Sequence, residues 1–200
     1  MNRTQKIILF SIVGLVVFGL TTAFVVRHRR KSGKSRNRNT DKEKNYIIGD
    51  SQTPFIDKNS DKAKRINEKG GKESLWEGGK SLSWLKTAVE DYPVSKDVNS
   101  IIINIGTNGG FNSKEDVDGL VSSVKEKFPN ALLFVVKGSW GWGGNKDVSE
   151  SKVNTYYDKF KDLGVEIIEP AIGKVKDPHS NLPIYATIGA NIDEKLKWNE

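Results

Sequence analysis

The sequence predicts an α/β fold, a parallel sheet with helices on both faces, preceded by a single apolar helix. Three observations carry that expectation. Ile101-Ile102-Ile103 and Leu132-Leu133-Phe134-Val135-Val136 are continuous apolar runs, the pattern of parallel strands covered on both faces. Amphipathic stretches of helical length separate the short apolar runs, as strand–helix alternation requires. Near the N-terminus, residues 7–26 form a run without a charge.

In chain order, residues 1–6 are a short flank carrying Arg3 and Lys6. Ile7–Val26 (IILFSIVGLVVFGLTTAFVV) has the length to cross a bilayer's hydrocarbon core of roughly 30 Å as a helix. Gly14 and Gly19 are ordinary in a membrane helix. Seven Lys/Arg follow between Arg27 and Arg38, and the positive-inside rule then places the C-terminal domain on the cytoplasmic side. The competing reading is a signal peptide cleaved after the small residues Thr21-Thr22-Ala23, giving a secreted protein. The bilayer is thus the first expected partner, through residues 7–26, with the basic tail attracted to anionic headgroups. Residues 27–44 hold almost no apolar side chain and read as a disordered, charged linker.

The domain proper is expected over 45–200. Strands are predicted at Tyr46–Gly49, around Leu75–Trp76, at Ser100–Ile105, Ala131–Lys137 and Val165–Glu169. Helices are predicted at Ser81–Asp91, Ser113–Phe128 and Ser149–Leu163, the second opened by the Ser113-Lys114-Glu115-Asp116 cap pattern. In such sheets function sits at the carboxyl ends of the strands.

Charge and composition remove several classes. The formal net charge of +7 divides into +9 over residues 1–44 and −2 over 45–200. A nucleic-acid-binding domain would carry its positive charge on the folded body, so no nucleic-acid partner is expected there. The absence of cysteine excludes disulfides, thiolate metal sites and a cysteine nucleophile. No cofactor and no metal are expected, since the glycine-rich turns match neither dinucleotide nor Walker spacing.

Four strand ends carry polar or glycine-rich signatures: Gly49-Asp50-Ser51-Gln52, Gly78-Gly79-Lys80-Ser81, Gly106-Thr107-Asn108-Gly109, and the late loop Asp177-Pro178-His179. Acyl transfer by a serine needs a hydroxyl, an imidazole to take its proton, and donors aimed at the oxyanion. Ser51 follows a buried strand and a glycine. Asn108 offers a side-chain NH2. The chain has two histidines; His28 lies in the basic tail, which leaves His179 as the imidazole of the domain.

These four blocks, in this order from about Tyr46 to Glu200, resemble the SGNH (GDSL-type) hydrolase family, with a tone closest to uncharacterised members from phages and large DNA viruses. The resemblance implies a three-layer α/β/α, flavodoxin-like parallel sheet and attack by a serine on an ester carbonyl. It implies Ser51 as nucleophile and His179 as base, with Ser51, Gly79 and Asn108 as oxyanion donors. Gly79 is preferred over Gly78 because the family's glycine commonly precedes x-Ser/Thr, here Lys80-Ser81. The expected substrate is an ester of a lipid or a carbohydrate. The same site run as an acyltransferase, or a catalytically silent tethered binding module, are the alternatives.

Two departures from the family pattern stand out. The last block is usually Asp-x-x-His, but Lys176 lies three before His179 and Asp177 only two before. Asp177 is therefore either the acid that orients His179 or a turn residue ahead of Pro178, with Ser51 and His179 working as a dyad. Gly109 stands after Asn108 where Asp is frequent. The loop Ser139-Trp140-Gly141-Trp142-Gly143-Gly144-Asn145 is expected at the edge of the site, with Trp140 and Trp142 either facing substrate or closing the loop locally.

Overall fold

The computed structural model describes residues 44–66 and 74–197. The proposed anchor and the linker up to residue 43 lie outside the described residues, and among the described residues no helix is long and apolar enough to cross a membrane. Five strands form one parallel sheet: β1 (Asn45–Gly49), β2 (Lys64–Arg65), β3 (Ser100–Asn104), β4 (Leu132–Val136) and β6 (Glu166–Ile168), in the order β2-β1-β3-β4-β6. A second, two-stranded parallel sheet joins β5 (Ser139–Trp140) to β7 (Gly173–Lys174).

The isoleucine run of β3 shows why this sheet needs cover on both sides. Side chains alternate between faces along a strand. Ile101 and Ile103 enter one core with Ile48, Leu133 and Val135. Ile102 points the other way, into a core with Ile47, Phe134, Val136 and Ile168. The first core is closed by α2 (Leu82–Glu90), α3 (Val117–Lys127) and α4 (Glu150–Asp162). The second is closed by α1 (Thr53–Asn59) and α5 (Pro183–Lys197). The parallel sheet covered by helices on both faces is the layering expected.

Several details differ. The segment Leu75–Trp76 makes one bridge, Trp76 to Gly49, and no strand of its own. Ser113 does not cap α3. Asn112 folds the chain into a turn by accepting from the Lys114 N–H, and the helix starts only where Asp116 accepts from the Gly119 N–H at 2.9 Å. The helices α1 and α5 and the short strands β2, β5 and β7 were not expected. The helix α5 was legible nonetheless: Pro183 at its start, then Tyr185, Ile188, Ile192 and Leu196 buried at near-helical spacing.

The pair α1–α5 fixes the relative placement of two distant parts of the chain. A Cβ at Gly189 would lie 2.0 Å from the Asn59 carbonyl oxygen, so only glycine allows this approach. The Asp193 carboxylate then accepts from the Ser60 hydroxyl and from the N–H groups of Asp61 and Lys62, satisfying the chain as it leaves α1.

Candidate active site

The nucleophile candidate is presented by the end of β1. Gly49 has φ +145°, and a Cβ there would lie 1.8 Å from the Asn104 carbonyl oxygen; no other residue lets β1 run this close to β3 at its last step. The Asp50 N–H then donates to that carbonyl at 3.0 Å. Ser51 follows as a half-buried turn residue, and α1 departs two residues later.

His179 comes from the loop between β7 and α5. Its Nε2 lies 3.0 Å from Ser51 Oγ. Its Nδ1 lies 3.0 Å from Asp177 Oδ1, which also accepts the His179 backbone N–H at 2.8 Å. The structure thus brings together three of the residues singled out in the sequence, and the shortened spacing still lets Asp177 reach the ring. The backbone hydrogen bond first, and the ring second, hold the Asp177 carboxyl below its ordinary range. Asp177 and His179 are both open to solvent, with side chains 69% and 43% exposed.

The second helical layer secures this exposed loop. Tyr185 of α5, itself buried, donates its hydroxyl to the Pro178 carbonyl at 3.0 Å, and its ring stacks on Phe55 of α1 at 5.4 Å. Each contact contributes about 1 kcal/mol. Asn59 at the end of α1 donates to Asn181 Oδ1 at 3.1 Å. The helix that starts beside Ser51 therefore holds the loop that carries His179.

The oxyanion candidates come from two further segments of the chain. Asn108 sits in a single 3₁₀ turn, Thr107–Gly109, at the end of β3. Its amide donates one N–H to the Lys80 carbonyl at 2.9 Å, and an NH2 group has a second to offer. The turn is forced by packing: Gly106 at φ +117° has no room for a Cβ, which would lie 2.6 Å from the Tyr156 ring. Phe111 closes the loop at φ +54°, a strained value for a bulky residue, held by full burial of its ring edge-on to Tyr156. On the 74–80 segment, Gly78 faces the nucleophile, its Cβ position 3.7 Å from Ser51 Cβ. Gly79 has φ +77° and open space around it.

The tryptophan loop divides. Trp140, expected at the site edge, lies in β5 and is 6% exposed in the core. It does not line an open surface, because pairing of β5 with β7 turned the glycine-flanked stretch into a regular element. Trp142 is partly exposed and stands edge-on to the His179 ring, centroids 5.2 Å apart at 84°.

Sequence reasoning missed a buried polar layer beneath Ser51. Asp50 is 1% exposed. Its Oδ1 accepts from the Gln52 N–H at 3.0 Å and the Asn104 amide at 3.1 Å, while Oδ2 has no hydrogen-bond partner among the described residues. Burial pushes its carboxyl up to about 7, against the pull of the Gln52 and Asn104 hydrogen bonds. The signal available was the Asp itself, inside an otherwise apolar strand end. Gln52 continues the layer by donating to Thr107 Oγ1 at 3.0 Å, and Thr107 donates to the Ser139 carbonyl at 3.2 Å.

Among the described residues no cluster of His, Asp or Glu could hold a metal ion. The arrangement presents a hydroxyl paired with an imidazole at a sheet edge. Such a group can attack an electrophilic carbonyl or phosphoryl centre.

Comparison with protein-family models gives no match, and neither does comparison with curated protein sequences. The fold is similar to that of solved structures. A protein from Streptococcus pneumonia described as a candidate platelet activating factor superposes with a TM-score of 0.55 at 14% identity, covering 98% of this chain and 100% of that one. A lipase/acylhydrolase from Enterococcus faecalis superposes with a TM-score of 0.51 at 11% identity, covering 78% of this chain and 96% of that one. At these identities the likeness is one of fold.

Proposed function

We propose that this chain is a serine hydrolase of the SGNH type that cleaves a carboxylic ester of a lipid or carbohydrate. The observation that carries the reading is the relay Ser51 Oγ–His179 Nε2, 3.0 Å, and His179 Nδ1–Asp177 Oδ1, 3.0 Å, assembled from residues 128 positions apart. Nε2 takes the Ser51 proton as Oγ attacks the ester carbon. The negative charge that gathers on the carbonyl oxygen is met by the free N–H of Asn108 and the backbone N–H groups of Ser51 and Gly79. Collapse of the tetrahedral intermediate expels the alcohol, which receives the proton from His179. Water, activated by the same imidazole, then releases the acid and restores Ser51. Asp177, kept ionised by its two hydrogen bonds, holds Nδ1 protonated and steadies the imidazolium. The fold shared with an acylhydrolase agrees with this reading.

The test is labelling of the full chain by a fluorophosphonate, together with hydrolysis of 4-nitrophenyl esters of graded acyl length. Labelling at Ser51, lost in Ser51→Ala, supports the assignment; a chain that neither labels nor hydrolyses is a binding module. In the same proposal residues 7–26 anchor the enzyme with its domain on the cytoplasmic side. An apolar helix resists salt, whereas a basic tail is released as the Debye length shrinks. Release of the full-length protein from membranes by high salt alone rejects the anchor.

A further inference from the structure

His179 poses a positioning problem that Asp177 alone does not solve. The acid is exposed, so its hold on the ring is screened by solvent. A general base must nevertheless keep Nε2 on the serine, since small misplacements at the reacting atoms cost large factors in rate.

Trp142 meets the ring from the side. Its indole lies edge-on to the imidazole at 5.2 Å, and its own orientation is fixed because Nε1 donates to Ser139 Oγ at 2.8 Å. Ser139 is fully buried and paired with Gly173 in the β5–β7 sheet. That small sheet joins the Trp142 loop to the chain leading into Asp177 and His179, and the Val175 N–H extends it by donating to the Trp140 carbonyl at 2.9 Å. The same loop is tied to the Asn108 turn, because the buried Asn145 amide donates to the Thr107 carbonyl at 2.7 Å. The tryptophan therefore stands on a base shared by the histidine loop and the asparagine turn.

We infer that Trp142 is the positioning residue of His179: its ring, perpendicular to the imidazole and anchored through Ser139, restricts the imidazole to the rotamer that faces Ser51. This rests on the reading of Ser51 and His179 as nucleophile and base. It assigns Trp142 to the histidine in place of the substrate.

Two measurements on the full-length protein test it. One is kcat and KM on 4-nitrophenyl acetate for wild type, Trp142→Phe, Trp142→Ala and Ser139→Ala. The other is the NMR shift of the His179 Cε1–H, assigned against a His28→Gln variant. Trp142→Ala should lower kcat by about 10- to 100-fold with KM within about threefold. Trp142→Phe keeps an aromatic ring and should recover most of that loss, and Ser139→Ala should fall between the two. The His179 resonance should move in Trp142→Ala to the position of a solvated histidine and stay near its wild-type place in Trp142→Phe. A rise in KM at constant kcat would make Trp142 a substrate platform and overturn the inference. So would a resonance indifferent to the loss of the indole, or a Phe variant as slow as the Ala one. If Trp142→Ala does not fold, Ser139→Ala, which keeps the ring and removes its anchor, decides by the same readouts. A wild-type chain that hydrolyses no ester would sink the proposed function, while the resonance still decides whether Trp142 holds the imidazole.

Discussion

The two halves of the site are built by different means. Ser51 stands at the end of a central strand, over a layer in which Asp50, Gln52, Asn104 and Thr107 are all at most 1% exposed. His179 stands on an exposed loop, fixed by contacts to its neighbours: Asp177 in front, Trp142 at the side, Tyr185 and Asn59 behind. Buried hydrogen bonds act at low dielectric and define one arrangement, whereas an exposed loop is held by several weak contacts that can be removed one at a time. The serine side should therefore fail abruptly on mutation, and the histidine side by degrees.

Ser51→Ala is the harshest test of that contrast. Loss of the nucleophile should cost about 10⁶ in kcat with the circular dichroism spectrum unchanged. Activity within tenfold of wild type would remove Ser51 from the reaction. Asn108→Ala comes next, at about 10²–10³ in kcat with KM nearly constant, because the amide is needed where charge develops. A rise in KM at constant kcat would mean that Asn108 binds the ground state. Asp177→Asn belongs to the graded side. Where the orienting acid is buried the same change costs about 10⁴; here the exposed carboxylate shares the task with Trp142, and a loss of about 10²-fold is expected. A loss below about tenfold would make Ser51 and His179 a dyad.

The same contrast explains what could be read from the chain. The strands Ser100–Asn104 and Leu132–Val136 were legible because a sheet buried on both faces writes an unbroken apolar run. Ser51 and Asn108 could be singled out as candidates because polar residues stand out where such runs stop, and His179 because the only other histidine lies in the basic tail. That Asp177 reaches the ring across a shortened spacing depends on loop geometry, which no periodicity records. Trp140 and Trp142 look alike in sequence, yet β5 pairing buries one and leaves the other against His179. Asp50 was passed over because its burial depends on Gln52 and Asn104, which approach from α1 and β3 to cover its carboxyl.

Asp50 gives the subtlest test, one of stability and not of rate. Its carboxyl is raised by burial from the ordinary 3.8 to about 7. Between those values the folded chain keeps the proton while the unfolded chain releases it. The folded state is thus favoured fully below about pH 4 and loses that advantage as pH rises towards 7, after which the dependence levels off. Over about three units the change is on the order of 4 kcal/mol. Asp50→Asn retains an Oδ1 able to accept from Gln52 and Asn104 and cannot ionise. Thermal unfolding of wild type and variant between pH 4 and 8 should diverge upward in pH, with the variant gaining on the order of 10 °C relative to wild type across the window. Since every other titrating group is common to both chains, their difference reports Asp50 together with its charge coupling to His179. Parallel curves would mean that the Gln52 and Asn104 hydrogen bonds are enough to keep the carboxyl ionised in its buried place, and the serine side would then rest on a buried charge instead of a buried proton.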